Sequence, residues 1–265
     1  MKLNLRGGWA VIRSQLFAFT STKGFFWTLA IGWMTGPVIY LLVWAAASRE
    51  GAIGGYERND FILYYLILLI VNQLTYPTTH WSTAESILNG DISKAMLRPM
   101  PVVYDAFGCD LATKIVCVPF VAAVSAALGI FLRAEITLAA QAVLPGILSL
   151  LLALALRFVL AHILSLLSFW GQRSSALLNV NDTFVFLFAG QVAPIAVFPA
   201  AMKALAVILP YRYMISFPVE LMLGKLSPQE ILFGFAMQAA WAAVLLAADA
   251  LVGRAGTKRY SATGG

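Results

Sequence analysis

Six apolar runs in this 265-residue chain are each long enough, or nearly so, to cross a lipid bilayer. They are Phe25 to Ala47, Phe61 to Thr79, Phe107 to Leu132, Leu138 to Trp170, Thr183 to about Leu205, and Ile231 to Val252. A helix needs ~20 apolar residues to cross ~30 Å of hydrocarbon. Backbone in lipid must satisfy its own N–H and C=O groups, which leaves helices and closed barrels as the spanning structures. The alternating strands of an outer-membrane barrel are absent from the sequence. The expected fold is therefore an all-α polytopic membrane protein with six transmembrane helices. A composition of 61% hydrophobic and 11% charged residues, with mean hydropathy +0.84, agrees.

Met1 to Lys23 lacks the apolar core and small-residue cleavage site of a signal peptide. Trp9, Ile12, Leu16 and Phe19 instead fall on one helical stripe flanked by Arg6 and Arg13. That pattern suits an N-terminal interfacial helix lying among lipid headgroups. The expected divisions are residues 1–24 as interfacial helix, 25–253 as the six-span domain and 254–265 as tail.

Basic residues set the orientation. With the N-terminus inside, Arg49, Arg58, Arg133, Lys203, Arg212 and Lys225 lie on outer segments, Arg157 lies within a span, and the remainder of the 18 lysines and arginines lie inside. Both termini are then cytoplasmic. The net charge of +6 is accounted for by this bias and by lipid headgroups, without nucleic acid. Cys109 and Cys117 have neither disulfide nor metal-site spacing and read as free, packed thiols.

Between the second and third runs the chain turns polar yet remains punctuated as structure, from Ser82 to Arg98. Ser82 and Glu85 have the spacing of a capping box. Asn89-Gly90 can end that short helix in a left-handed turn, and Asp91 can cap another. Pro99 and Pro101 stop it. This helical knuckle falls on the cytoplasmic side. Two readings stand: a surface presented to a partner, or a compact turn that returns the chain to the membrane.

The fourth and fifth runs are broken. Pro145-Gly146 offers a break that lays Glu135 to Leu144 along the outer surface and starts the span at Gly146, with Arg157 near mid-bilayer and His162 sharing its polar surroundings. A span beginning at Leu138 puts Arg157 at the inner interface instead. An arginine at the bilayer centre costs ~2.5–3.5 kcal/mol on insertion scales and faces protein or a watery cavity. Pairing to a carboxylate or to backbone carbonyls is the structural role expected of it. Pro194, Pro199, Pro210 and Pro218 punctuate the fifth region. They suggest two short helices, roughly Ala200 to Leu209 and Phe217 to Leu223, dipping into the outer leaflet. Such broken backbone is tolerated at membrane depth only under protein or beside a cavity. Ser227-Pro228 restarts the last helix.

Catalytic patterns are missing. Gly224-Lys225-Leu226-Ser227 lacks the upstream glycine and adjacent hydroxyl of a phosphate loop. His80 and His162 stand on different spans and do not make a zinc pair. Asn181-Asp182-Thr183 matches a glycosylation acceptor but falls on the inner side by this topology. Acidic residues sit mostly at span ends, which weighs against the rival reading of a secondary transporter or channel. No inverted repeat is visible to support that rival, and an intramembrane enzyme has no constellation to stand on.

Several pieces in order resemble the type-2 ABC transporter permeases, in the branch described as viologen-exporter-like. They are Gly90-Asp91-Ile92-Ser93-Lys94-Ala95-Met96-Leu97-Arg98-Pro99, then Phe169-Trp170 followed by Arg173 and Ala176-Leu177. A series follows with Pro194, Phe198-Pro199, Leu209-Pro210-Tyr211, Phe217-Pro218 and Leu223-Gly224, ending in Lys258-Arg259-Tyr260-Ser261-Ala262 and Gly264-Gly265. Gly171-Gln172 depart from the more polar, charged pair of relatives.

The resemblance implies a permease subunit of the plasma (inner) membrane that pairs with a second permease and with separate ABC ATPase subunits. Those subunits would bind ATP and Mg, and this chain carries no cofactor. It also implies that Ser82 to Arg98 is a coupling helix docked on the ATPase, that Arg6 to Thr22 is a connecting helix, and that the outer pair is re-entrant. The residues expected to meet the ATPase are Glu85, Asn89, Gly90, Asp91, Lys94 and Arg98. The expected substrate path is Trp27, Trp33, Phe184 and Phe188, whose aromatic faces suit cationic solutes, together with Arg157; the alternative for the aromatic residues is a lipid-facing or helix-packing role. The function so implied is export of an amphipathic or hydrophobic solute by alternating access.

Overall fold

In a computed structural model of the chain, residues 9–10, 12–14, 16–17, 23–78, 80–97, 103–136, 140–171 and 174–259 are described. The named elements among them are all helical. Helix α1 (Lys23–Ala47) and α2 (Arg58–Thr75) lead to two short helices, α3 (His80–Leu88) and α4 (Ile92–Met96). Long helices α5 (Val103–Phe131) and α6 (Ala140–Leu166) come next, followed by α7 (Ser174–Phe188). Three short helices, α8 (Ala200–Ile208), α9 (Tyr211–Met214) and α10 (Ser216–Met222), precede the closing α11 (Pro228–Arg259). Among the described residues four helical stretches have the length and apolar character to cross a membrane: Arg58–Leu88, Val103–Phe131, Gln141–Phe169 and Pro228–Arg259. Ile31–Ala47 and Ala176–Phe188 are shorter apolar helices.

The second helix is the centre of the molecule. Phe61, Tyr64, Tyr65 and Leu68 on α2 are fully buried, with α1, α5, α6 and α10 packed around them. Lipid tails are as apolar as leucine, so spans associate through close packing and hydrogen bonds rather than through water exclusion. The interior is accordingly stitched by polar tips of aromatic side chains. Tyr64 donates to the Gly190 carbonyl (2.8 Å), while Tyr65 and Trp44 both donate to that of Val192 (2.7 and 2.8 Å). These bonds satisfy the turn that follows α7, where Gly190 takes a left-handed φ of +81°. A Cβ there would meet Tyr64 Oη and the Ser216 side chain.

Similar bonds cover the proline-broken segment between α7 and α11. Tyr213 donates to Val207 O (2.6 Å) and Trp241 to Ile208 O (3.1 Å). Gln238 donates to both Ser149 O and Tyr213 O. Half-buried Arg212 pairs with buried Glu220 at 3.0 Å. The carbonyls of Val207, Ile208 and Tyr213 thus accept from side chains, the kind of cover irregular backbone under protein needs. Short helices cover Ala200–Ile208 and Ser216–Met222, with the further turn α9 between them. Ser227 and Glu230 form a capping box at the start of α11, with Ser227 N donating to Glu230 Oε2 (2.8 Å) and Glu230 N to Ser227 Oγ (3.3 Å).

Three expectations are corrected. Helix α6 runs unbroken through Pro145, so residues 140–144 belong to it and not to a surface segment. Pro145 is the sixth residue, in the second turn, so its missing N–H forgoes one bond, to the Gln141 carbonyl, without ending the helix. Gly146 serves packing instead, because a Cβ there would fall 2.5 Å from Met222. Arg157 is the eighteenth residue of the 27 in α6, beyond its midpoint toward the end at Leu166.

The second correction concerns Ser82, which lies inside α3 and not at its cap, since the helix already includes His80. Third, the helix of the fifth apolar run starts well before Thr183, where that run was expected to begin. The helix is Ser174–Phe188, which takes Asn181, Asp182 and Thr183 out of an inner loop and into its second half. Some acidic groups do reach the interior: Asp110 and Glu220 are buried, and Asp182 lies within α7. Near the N-terminus the described residues are helical, with Trp9 and Phe17 exposed and the Arg13 guanidinium 5.7 Å above the Phe17 ring. Phe19 lies outside the described residues. Cys109 and Cys117 are free thiols, the latter buried.

Candidate functional site

Two features stand out from the packed helices, a polar knuckle and a cavity beside the helix that leads into it. The knuckle is α3 and α4. Helix α3 ends at Leu88, and Gly90 takes a left-handed φ of +80° to turn the chain into α4. One face is anchored: Ile87 and Ile92 are buried with Leu166, against Phe169 and Val252. The other face presents Glu85, Leu88, Asn89, Asp91, Lys94 and Leu97, all exposed. Asp91 precedes α4, but its carboxylate accepts from Lys94 Nζ (2.7 Å). That hydrogen bond holds the exposed Lys94 ammonium above the usual lysine range.

The cavity holds about 280 Å³ between α1, α2, α6 and α7. Trp33 and Tyr40 line it from α1, Asn72 from α2 with Tyr76 just after it, Arg157 from α6, and Asp182 and Phe186 from α7. Its aromatic walls come in pairs, Trp33 with Tyr76 (centroids 4.4 Å apart) and Tyr40 with Phe186 (6.1 Å). Gly32 and Gly36 leave the α1 wall open, since a Cβ at either position meets nothing within 4 Å.

Arg157 Nη1 donates to Asn72 Oδ1 (2.8 Å) and Thr75 Oγ1 (3.0 Å), and its guanidinium lies 5.1 Å over the Tyr76 ring. Hydrogen bonds to a charged group contribute ~1.5–3 kcal/mol each. A desolvated cation–π contact adds ~2 kcal/mol. Together they offset the ~2.5–3.5 kcal/mol of placing an arginine among spans. Its hydrogen-bonded partners are thus neutral side-chain oxygens, not the carboxylate or backbone carbonyls expected.

Past Tyr76 the chain from α2 into α3 is held by charged groups of two other helices, α5 and α7. Lys114 of α5 donates to the Tyr76 carbonyl (3.0 Å) and pairs with Asp110. Asp110 accepts from the Thr78 backbone N–H (3.0 Å). His80 opens α3 with its Nδ1 2.6 Å from the Pro77 carbonyl and its Nε2 4.0 Å from Asp182 of α7. His162 lies apart from Arg157, stacked on Phe158 and 2.6 Å from Asp249 of α11.

Of the expected path residues, Trp33 and Arg157 line the cavity. Phe184 and Phe188 do not; they stack on each other (5.8 Å), and Phe184 stacks on Tyr211 (5.9 Å). The Trp27 side chain and all of Arg98 lie outside the described residues. Sequence reasoning missed Asn72, Tyr76, His80, Asp110, Lys114 and Asp182. A signal for some of them was available: polar side chains inside or beside apolar runs face protein or a cavity more often than lipid.

A family model described as ABC-2 family transporter protein matches residues 32–264 of the chain. No curated protein matches it.

Proposed function

Because the chain belongs to the ABC-2 family of transporter proteins, a family of membrane subunits that normally work with an ABC ATPase, we propose that it is the permease of an exporter of amphipathic or hydrophobic solutes. The observation that carries this reading is the knuckle. Ile87 and Ile92 hold one face to the body of the protein, while Glu85, Leu88, Asn89, Asp91, Lys94 and Leu97 stand clear on the other. A mixed apolar and charged face anchored from behind suits a protein groove, and the family supplies the ATPase as its occupant. ATP-driven closure of two ATPase subunits, each with bound ATP and Mg, pushes on the knuckles of two permeases, identical or homologous. The cavity then opens outward by alternating access.

In this reading the six apolar helices all span the inner membrane with both termini and the knuckle in the cytoplasm. The described N-terminal residues belong to a connecting helix at the interface, and α8 and α10 are re-entrant from outside. The likeness of Gly90 to Pro99 and of the proline series to the viologen-exporter-like branch supports the outward direction. The solute path runs past Trp33 and Arg157, with Trp27, Phe184 and Phe188 further along it. Buried ionisable groups such as Asp182 also occur in secondary transporters, but the family membership favours the ATP-driven reading.

Affinity purification of the tagged chain from its own membrane tests the proposal. Stoichiometric recovery of a phosphate-loop ATPase supports it, and a second six-span chain in the eluate identifies a heterodimer. A chain that purifies alone in mild detergent, even after cross-linking at Lys94, overturns it.

A further inference from the structure

The Asp182 carboxylate lies between the cavity and the knuckle. From α7 it lines the cavity, with its side chain 37% exposed, and its Oδ2 is 4.0 Å from Nε2 of His80 at the first turn of α3. A carbonyl oxygen only accepts hydrogen bonds, so the 2.6 Å contact with Pro77 O places a proton on His80 Nδ1; Nε2 faces Asp182, and the carboxylate holds it when the ring is an imidazolium whose Nε2 also carries a proton. The ring is 2% exposed and packs edge-on to Tyr76 at 5.9 Å and against Trp81 at 5.6 Å. It is fixed to α3, and Nε2 itself has no hydrogen-bond partner among the described residues. On the other side, the hydrogen bond recorded for Asp182 comes from its neighbour Asn181, at a long 3.4 Å. The carboxylate therefore keeps accepting capacity that either side can claim. The cavity's other charge, Arg157, attracts the carboxylate through space, but its side-chain hydrogen bonds go to Asn72 and Thr75 and its face to the Tyr76 ring, not to Asp182.

We infer that Asp182 is shared between the cavity and the knuckle, and that its hold on His80 transmits the state of the cavity to α3. This rests on the transporter reading given above and adds the residues that couple the two sites. A solute group that engages the carboxylate is a hydrogen-bond donor or a cationic nitrogen, since a carboxylate only accepts. Such a group draws Asp182 away from His80 and frees the first turn of the knuckle. In the reverse direction, an ATPase that moves α3 withdraws His80 and leaves the carboxylate to the cavity. Coupling of this kind is reciprocal.

The test uses the chain with its ATPase subunits in proteoliposomes and a Gly36→Cys reporter on the cavity wall, where a Cβ meets nothing within 4 Å. The chain without the reporter gives the background from Cys109 and Cys117. ATP with vanadate is expected to change maleimide labelling at position 36 by about fivefold or more, the lower range of ordinary coupling between sites. Asp182→Asn and His80→Gln are each expected to abolish that response while the ATPase subunits still co-purify. Asp182→Glu retains it, and the double variant loses no more than either single one, as members of one interaction should. A full nucleotide response in Asp182→Asn or in His80→Gln overturns the inference, as do losses that add in the double variant. If Asp182→Asn fails to fold, His80→Gln decides from the knuckle side. A reporter chain that recruits no ATPase, or that never responds to nucleotide, counts instead against the transporter reading.

Discussion

Phe217 of α10 occupies the space that a Cβ on Gly234 of α11 would need. The ring is fully buried and also packs edge-on to Phe235 at 5.7 Å, so it has no empty side to move into. This contact joins the short helix α10 to the last long one. Gly234→Ala is expected to destabilise the protein by ~1–3 kcal/mol, the usual range for overpacking. Phe217→Leu in the same chain should recover part of that loss. Thermal unfolding in detergent checks both, and a Gly234→Ala protein that melts like its parent would refute the contact.

Removing Asn72 takes an acceptor from a buried guanidinium. Asn72→Ala is expected to cost ~1.5–3 kcal/mol, as for a hydrogen bond to a charged group. Arg157→Lys should not be neutral either, since an ammonium lacks the planar fork that meets Asn72, Thr75 and the Tyr76 face together. Equal melting temperatures for Asn72→Ala and the parent would contradict the arrangement.

Asp110 and Lys114 form a buried pair that holds the turn between α2 and α3. Asp110→Leu alone strands a buried ammonium and is expected to cost ~3–5 kcal/mol. Asp110→Leu with Lys114→Met replaces the pair by apolar groups and should cost clearly less. The comparison of the two melting curves is the measurement. A double variant less stable than the single one would show that the pair contributes more than mutual neutralisation.

Asp91 and Lys94 lie on the exposed face of the knuckle, paired at 2.7 Å. Exposed pairs contribute little to folding. Asp91→Ala with Lys94→Ala should therefore leave the melting temperature unchanged while uncoupling ATP hydrolysis from transport. Transport at the parental rate in this variant would remove both residues from the coupling surface.

The knuckle was largely legible in the sequence because its signals are local. Gly90 stands where the chain must take a left-handed φ, and the helices end near the residues that Asn89-Gly90 and Pro99 mark. Their start was misread at Ser82, since a capping pattern can occur inside a helix as well as at its end. Pro145 misled for a related reason. A proline marks a break in mid-helix and a beginning in the first turns, and only the position of the helix start distinguishes the two. The proline-rich outer segment was legible as short helices, but the donors that make its broken backbone tolerable are not local. Trp44, Tyr64 and Tyr65 reach it from two distant helices.

Run length and composition by themselves determined that this chain is helical and polytopic, because lipid leaves the backbone few ways to satisfy its hydrogen bonds. Basic residues set an expected orientation, and glycine and proline marked the turns. Tertiary structure alone decided which spans surround α2 and which polar groups meet. Arg157 reaches Asn72 across 85 residues of sequence, and His80 meets Asp182 between helices far apart in the chain. Apolar periodicity cannot foretell such meetings in a membrane protein. Lipid and protein interior accept the same side chains, so the faces that turn inward become known only when the helices are packed.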